Sequence, residues 1–367
     1  MRAFNLTIKI CLLSGMLVLL SLLFAEGGKA MPEKVDFIRK VGFKGADWYR
    51  EQANLWKKEI EKNPQNKDAW FNYYLASEYS YWGNYEAQSE KKAGLEQILT
   101  EMQEAIPNSF EYHLFNYRLH HDLASLKKAY QLEPDNPLPY YDLIVHYEME
   151  GNKDTFKELN QKLYRSQDIA SGLLEYNYNV LMSVAPNAIL FTNGDNDTYP
   201  CWVLQSVKNV RPGVTVLNRH LIRNSSYLKQ KLAARDIDLN LDNLPSANSA
   251  SFMAELCKTI NTQSPEMPIY TAATVDEAVT DVFKDDLYLV GLAFRYNQTR
   301  FDNIARLKEN WKNQFRLDYL KHDWYSEEHP STSKITSKLN MNYIPPLMIL
   351  YEQYAKEKKP ERARQCK

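Results

Sequence analysis

Residues Ala188–Pro200 (Ala-Ile-Leu-Phe-Thr-Asn-Gly-Asp-Asn-Asp-Thr-Tyr-Pro) constrain the fold of this chain more than any other stretch. An apolar run stops abruptly at Asn193-Gly194-Asp195, and Pro200 stands where a helix would open. Buried parallel strands hand over to helices in this way: the strand is covered on both faces, and the turn after it must satisfy its own polar groups. The alternation continues. Ile169–Val184 reads as a linking helix, and Ala188–Asn193, Val214–Asn218, Ile269–Ala273 and Leu287–Arg295 read as strands. Pro200–Val210, Ile222–Ala234 and Ser249–Thr262 read as helices, and the aspartate-rich stretch 232–246 as a polar connection. The pattern predicts a small, mostly parallel α/β domain over residues 166–300. A C-terminal helical segment follows over 301–367, with Pro345-Pro346 in the first turn of its last helix and a basic tail from Pro360.

The first half has a different period. Leu75, Tyr79 and Gly83 are spaced by four, and Leu143, Tyr147 and Gly151 repeat the set 68 residues later. That offset is two periods of about 34 residues, the spacing of stacked helix pairs. Pro64 and Pro134 punctuate the junctions, and Gly83 and Gly151 suit the turns within pairs. The middle copy is damaged, with Ser109, His113 and Tyr117 at the three key positions. Ala129-Tyr-Gln-Leu-Glu-Pro134-Asp-Asn-Pro137 closely resembles a tetratricopeptide junction, so residues 31–165 resemble a degenerate tetratricopeptide array, clearest over 47–165. The resemblance implies α+α/β architecture overall, helical hairpins followed by the α/β domain. Trp48, Tyr49, Trp56, Trp70, Tyr73, Tyr74, Tyr81 and Trp82 either fill the stack or line a peptide groove; filling is the expectation, because few repeats are visible.

Met1-Arg2 and Lys9 precede an apolar stretch from Ile10 to Ala25, and Gly28 and Ala30 suit a signal peptidase site. Residues 1–30 therefore read as a secretory signal, too short to be a comfortable membrane span. The expectation is an exported protein, periplasmic or envelope-associated, with no transmembrane span after signal removal. A net charge of −1 with scattered basic residues lacks the footprint of a nucleic-acid binder. Beyond the signal stand Cys201, Cys257 and Cys366; a Cys201–Cys257 disulfide fits an oxidising compartment, although spacing alone does not establish it.

If the strands at 188–193 and 214–218 are parallel, their carboxyl ends share an edge, where open α/β sheets bind ligands. The first delivers Asn193, Asp195 and Asp197; the second delivers Asn218, Arg219 and His220. These six are the candidate ligand-binding residues. Carboxylate and amide oxygens suit a hard divalent cation such as calcium, magnesium or manganese, with Asp195 and Asp197 as its ligands. Arg219 suits a phosphate or carboxylate, and His220 a proton shuttle. The same residues also serve a plainer end: Asp197 or Thr198 capping a helix, Asn193–Asp195 making the turn, Arg219 neutralising an aspartate. No serine-hydrolase, zincin or glycine-rich phosphate-loop signature occurs, and no catalytic residue is assigned.

Ala188–Pro200, Val210-Arg-Pro-Gly-Val-Thr-Val-Leu-Asn218, Pro268-Ile-Tyr270 and Gly291-Leu-Ala-Phe-Arg295 together resemble the soluble C-terminal region of certain bacterial multi-spanning membrane proteins related to the protein O-mannosyltransferases. The resemblance covers about residues 165–300 and implies a soluble, envelope-facing module. Glycosyl transfer is not carried over, because the multi-spanning part has no counterpart here. Two functions follow as expectations: an exported interaction scaffold that docks an envelope protein or peptide, and a metal- or sugar-phosphate-binding enzyme using the Asn193–Asp197 turn.

Overall fold

The computed structural model describes residues 31–322 and 330–366; the expected signal segment, residues 1–30, lies outside them. The chain divides into two compact units, one of Lys44–Pro107 with the described residues before Phe37, the other of Phe37–Phe43 and everything from Asn108. A four-residue helical turn, α1 (Ile38–Val41), belongs to the second unit.

The first unit is helical: α2 (Ala46–Lys62), α3 (Lys67–Ser80) and α4 (Gln88–Ala105). The junction before α3 shows how the local chemistry works. Asn66 caps α3 by accepting from the Ala69 N–H at 3.1 Å, and the Trp70 indole donates to the Pro64 carbonyl at 2.8 Å. Its interior is aromatic, with Tyr49, Trp70, Tyr74 and Tyr79 buried, as are Leu95, Ile98 and Met102. Of the eight aromatic residues singled out above, Tyr49, Trp70 and Tyr74 are buried, Trp48, Trp56, Tyr73 and Tyr81 are half-buried, and Trp82 is exposed.

In the second unit, α5 (Phe110–His120) pairs with α6 (Leu123–Leu132), and α7 (Leu138–Glu150) with α8 (Lys153–Arg165). The junction before α7 repeats the earlier device: the Tyr140 hydroxyl donates to the Pro134 carbonyl at 2.6 Å. Gly83 and Gly151 both take left-handed backbone, at φ 81° and 74°. Between α5 and α6 the same conformation falls on a non-glycine residue, His121 at φ 57°, four residues beyond Tyr117.

Next come α9 (Ser171–Ser183), β1 (Ile189–Thr192), α10 (Asp195–Lys208), β2 (Thr215–Asn218), α11 (Ser225–Ala233), α12 (Phe252–Gln263), β3 (Ile269–Ala272), β4 (Leu287–Leu289) and β5 (Ala293–Tyr296). The five strands form one sheet in the order β2-β1-β3-β5-β4. β1 pairs in parallel with β2 and β3, whereas β5 pairs antiparallel with β3 and β4. The sheet is thus mixed rather than mostly parallel. The difference arises at Gly291: the stretch expected as one strand, Leu287–Arg295, folds back there as a hairpin. Gly291 adopts φ 150°, and a Cβ on it would stand 2.6 Å from the Ser183 hydroxyl, so no other residue fits without displacement.

Alternate strand residues face opposite layers. Leu190, Val216 and Tyr270 pack with Trp202 and Val203 of α10 and with the helices before the sheet; Ile189, Phe191 and Leu217 pack with Leu228 of α11 and Leu256 of α12. Helices α6–α8 consequently share one core with the sheet, within the compact unit that runs on from Asn108. The two layers also separate the cysteines. Cys201 lies in one and Cys257 in the other, and both are free, which answers the question that their spacing left open. Burial pushes both thiols well above the usual range. Reductant should leave the melting temperature unchanged, and maleimide should label neither thiol until the chain is unfolded, as read by mass spectrometry.

The chain closes with α13 (Asn303–Glu309), α14 (Pro330–Asn340), α15 (Ile344–Lys356) and α16 (Pro360–Arg364). Among the described residues no helix is long and apolar enough to cross a membrane.

Candidate functional site

The turn after β1 is built from its own side chains. Helix α10 begins at Asp195, a turn and a half before Pro200, and Gly194 brings no side chain to cap it. Asp197 replaces that cap. Its carboxylate reaches back to accept from the Asn193 N–H at 2.7 Å and the Gly194 N–H at 2.8 Å, and it also accepts the Thr274 hydroxyl from beyond β3. Desolvation raises its pKa, while these donors pull the other way. Thr198 is held between the Thr192 hydroxyl at 2.7 Å and the Asn218 amide at 3.0 Å, which ties β1, β2 and α10 together.

Pro200 falls inside the helix because another residue repairs the damage. With no N–H, it leaves the Asn196 carbonyl without its helical donor. The fully buried Asn177 of α9 supplies one, its amide donating to that carbonyl at 2.8 Å and to the Leu173 carbonyl at 2.9 Å. A proline read as a helix start from sequence is thereby tolerated one turn later.

The sheet order places a switch point between β1 and β3. From β1 the chain crosses by α10 on one face to β2, then returns by α11 and α12 on the other face to β3. Crossovers diverging to opposite faces leave a crevice outside the carboxyl ends of the two strands. An open cleft of about 430 Å³ lies there, walled by Asn193–Asp197, Ala273 and Thr274, and by Lys338 and Leu339 of α14 with Asn342. Asp195 is exposed at this edge, and a Cβ on Gly194 would meet nothing within 4 Å. The Asn193 side-chain oxygen, Oδ1, is buried without a hydrogen-bond partner.

Three of the six candidate residues, Asn193, Asp195 and Asp197, line this cleft; the other three are gathered at the same sheet edge on the β2 side. Asn218 turns inward and accepts from the His220 N–H at 2.8 Å. Arg219 donates its backbone N–H to Thr192 at 2.9 Å, and its side-chain Nε is buried without a partner. His220 is exposed, and its pKa is lowered by partial desolvation and by Arg219 and Arg223, with Asp195 opposing. A histidine lowered in the fold contributes stability that is lost as pH falls through the ordinary range near 6.5. The His220 ring resonance should therefore titrate below that value. Arg223→Ala should move the midpoint up and Asp195→Asn should move it down; an unmoved midpoint in both would mean that the two strand tails do not interact.

The divalent-cation expectation meets two geometric facts. Residues two apart on a helix point about 160° from each other, and here Asp195 faces out while Asp197 is buried with its oxygens already occupied. Among the described residues no group of three or more His, Cys, Asp or Glu is placed to hold a metal.

Sequence reasoning missed a strap. Arg39 of α1 stacks 4.0 Å over the Tyr141 ring and 4.5 Å over Phe37, and its carbonyl accepts from the Asn196 amide at 3.1 Å. Lys40 pairs with Asp168, which also accepts the Tyr141 hydroxyl at 2.7 Å. Basic residues at 39–40 carry no recognisable pattern, so nothing pointed to them. Thr274 was within reach: it follows a strand end, as Asn193 does, but only the strand order shows which strand neighbours β1.

Residues 173–345 match the family described as TMEM260-associated domain 2. No curated protein matches the chain.

Proposed function

We propose that this chain is an exported cell-envelope protein that acts by binding: its helical pairs, of tetratricopeptide type, dock an extended segment of a partner protein, and its α/β unit is an accessory binding module. The observation that carries this reading is a groove of about 330 Å³ across α2, α3 and α4. Its walls carry Arg50, Lys57, Lys91, Glu101, Tyr73 and Tyr81, a mixed polar and aromatic lining suited to peptide backbone and side chains. Gly94 leaves open space where a Cβ would project. The matching proline clamps at Trp70 and Tyr140 support the repeat reading, and the match to a domain associated with TMEM260 supports an accessory role for the α/β unit. Commitment of Asp197 to its turn supports binding over catalysis, since it leaves Asp195 without a second free carboxylate.

Affinity capture from envelope extract tests the reading. Lys57→Glu with Lys91→Glu should abolish partner recovery, and Asp195→Ala should preserve it. The reverse pattern overturns it.

The switch-point cleft favours a second reading, a small polar ligand held by Asp195 and the Asn193 side chain, in the manner of a sugar-phosphate site. Thermal shifts with calcium, magnesium, manganese and nucleotide sugars test it. A shift removed by Asp195→Asn supports it, and no shift with any of them ends it.

A further inference from the structure

Helix α15 does not follow the pattern of a surface helix. Its inward side buries Leu350 and Tyr354 against Leu307, Ala363 and Cys366. Its outward side should therefore be polar. Instead Ile344 and Met348 stand 44% and 57% exposed, and Met341, in the 3-10 turn that leads into the helix, stands 60% exposed. Ile344 and Met348, four apart, stand on one side of the helix, and exposed Pro345 and Ala355 extend that apolar surface. Glu352 is the sole acidic residue between Met341 and Lys356.

Charge is arranged around this stripe rather than along it. Lys334 and Lys338 precede it, and Lys356, Lys358, Arg362 and Arg364 follow, all exposed; among them stand Glu357, paired with Lys359, and Glu361, paired with Arg364. The whole chain carries a net charge of −1, so this concentration of basic residues is a local asymmetry. An aliphatic stripe bounded at both ends by long basic side chains matches an anionic bilayer interface: the apolar atoms enter the acyl boundary, and the lysine and arginine stems reach up to the headgroups. At 13 residues α15 is about 20 Å long, too short to span and suited to lying flat. An acidic protein surface would match the charge but would not call for a bare methionine–isoleucine ridge.

We infer that α15 and the basic segment after it form the face by which this protein rests on an anionic lipid surface. Vesicle co-sedimentation tests it, using the chain from Met31 onward, which carries every described element. The chain should sediment with vesicles of equal parts phosphatidylglycerol and phosphatidylcholine, and not with phosphatidylcholine alone. Ile344→Asp with Met348→Asp should weaken the partition at least about tenfold, and Lys356→Glu with Lys358→Glu should weaken it by a similar factor while flattening its salt dependence. All four substitutions fall on exposed positions, and unchanged circular dichroism melts would confirm that folding is intact. Absence of sedimentation with the anionic vesicles overturns the inference, as does binding that neither pair of substitutions alters. Capture of a protein through this face by a chain that never sediments with lipid would also overturn it and make the stripe a protein interface.

Discussion

Asp197→Ala should lower the unfolding free energy by about 3–5 kcal/mol, while Asp195→Ala, two residues away, should change it by less than about 0.5 kcal/mol. The contrast follows from burial and partners. Asp197 is 2% exposed and accepts from two backbone N–H groups and a threonine hydroxyl. Truncation strands those donors away from water, and each buried orphan costs about 1–3 kcal/mol. Asp195 is exposed and holds none of these donors. Urea denaturation of the three proteins measures the difference, and equal midpoints for the two variants would refute the turn as described. A pH series adds a sign. Burial raises the Asp197 pKa, so in the window just above the ordinary carboxyl value the native state holds more proton than the unfolded chain. Its contribution is complete below about pH 4 and declines as pH rises through the native value, so the gap between wild type and Asp197→Ala should narrow from acid towards neutral pH.

Asn177→Leu should cost about 2–3 kcal/mol, and that cost should fall by about 1 kcal/mol or more in a Pro200→Ala background. Asn177 is fully buried, and its amide is the donor that the Asn196 carbonyl lacks because residue 200 has no N–H. Leucine removes the donor and leaves the carbonyl unpaired. Alanine at 200 restores an ordinary helical N–H to the same carbonyl, so the second change repairs part of the first. A double-mutant cycle isolates this coupling. Additivity within about 0.3 kcal/mol would show that the asparagine stabilises α10 by some other route.

Neither prediction was available from sequence, although each concerns residues that the sequence had singled out. Asp197 was named both as a metal ligand and as a cap. The choice depends on where Thr274 arrives, and that residue is brought in by β3, 77 residues away in sequence. Pro200 was read as a helix start, the sound reading when no partner for the Asn196 carbonyl is in view; that partner lies 19 residues earlier, on α9. The hairpin at Gly291 was read as one strand, because apolar residues run through it and its close approach to Ser183 is a tertiary fact.

What the sequence determined by itself is whatever depends on short-range periodicity and turn chemistry. The strands at 189–192, 215–218 and 269–272, the helices that alternate with them, the helix pairs over 46–165 and the glycine turns at 83 and 151 all stand within a few residues of their expected places. Burial patterns of period two and 3.6 are written locally. Tertiary structure alone decided the strand order, hence the switch point between β1 and β3 and the cleft with Thr274 and Lys338 in its walls. It also decided that the sheet separates Cys201 from Cys257. The physical reason is that strands buried at every position, such as Ile189–Thr192 and Ile269–Ala272, carry no in-and-out alternation that would set register or neighbour. Their order is set by which helices can cover which face, and that is a property of the assembled core.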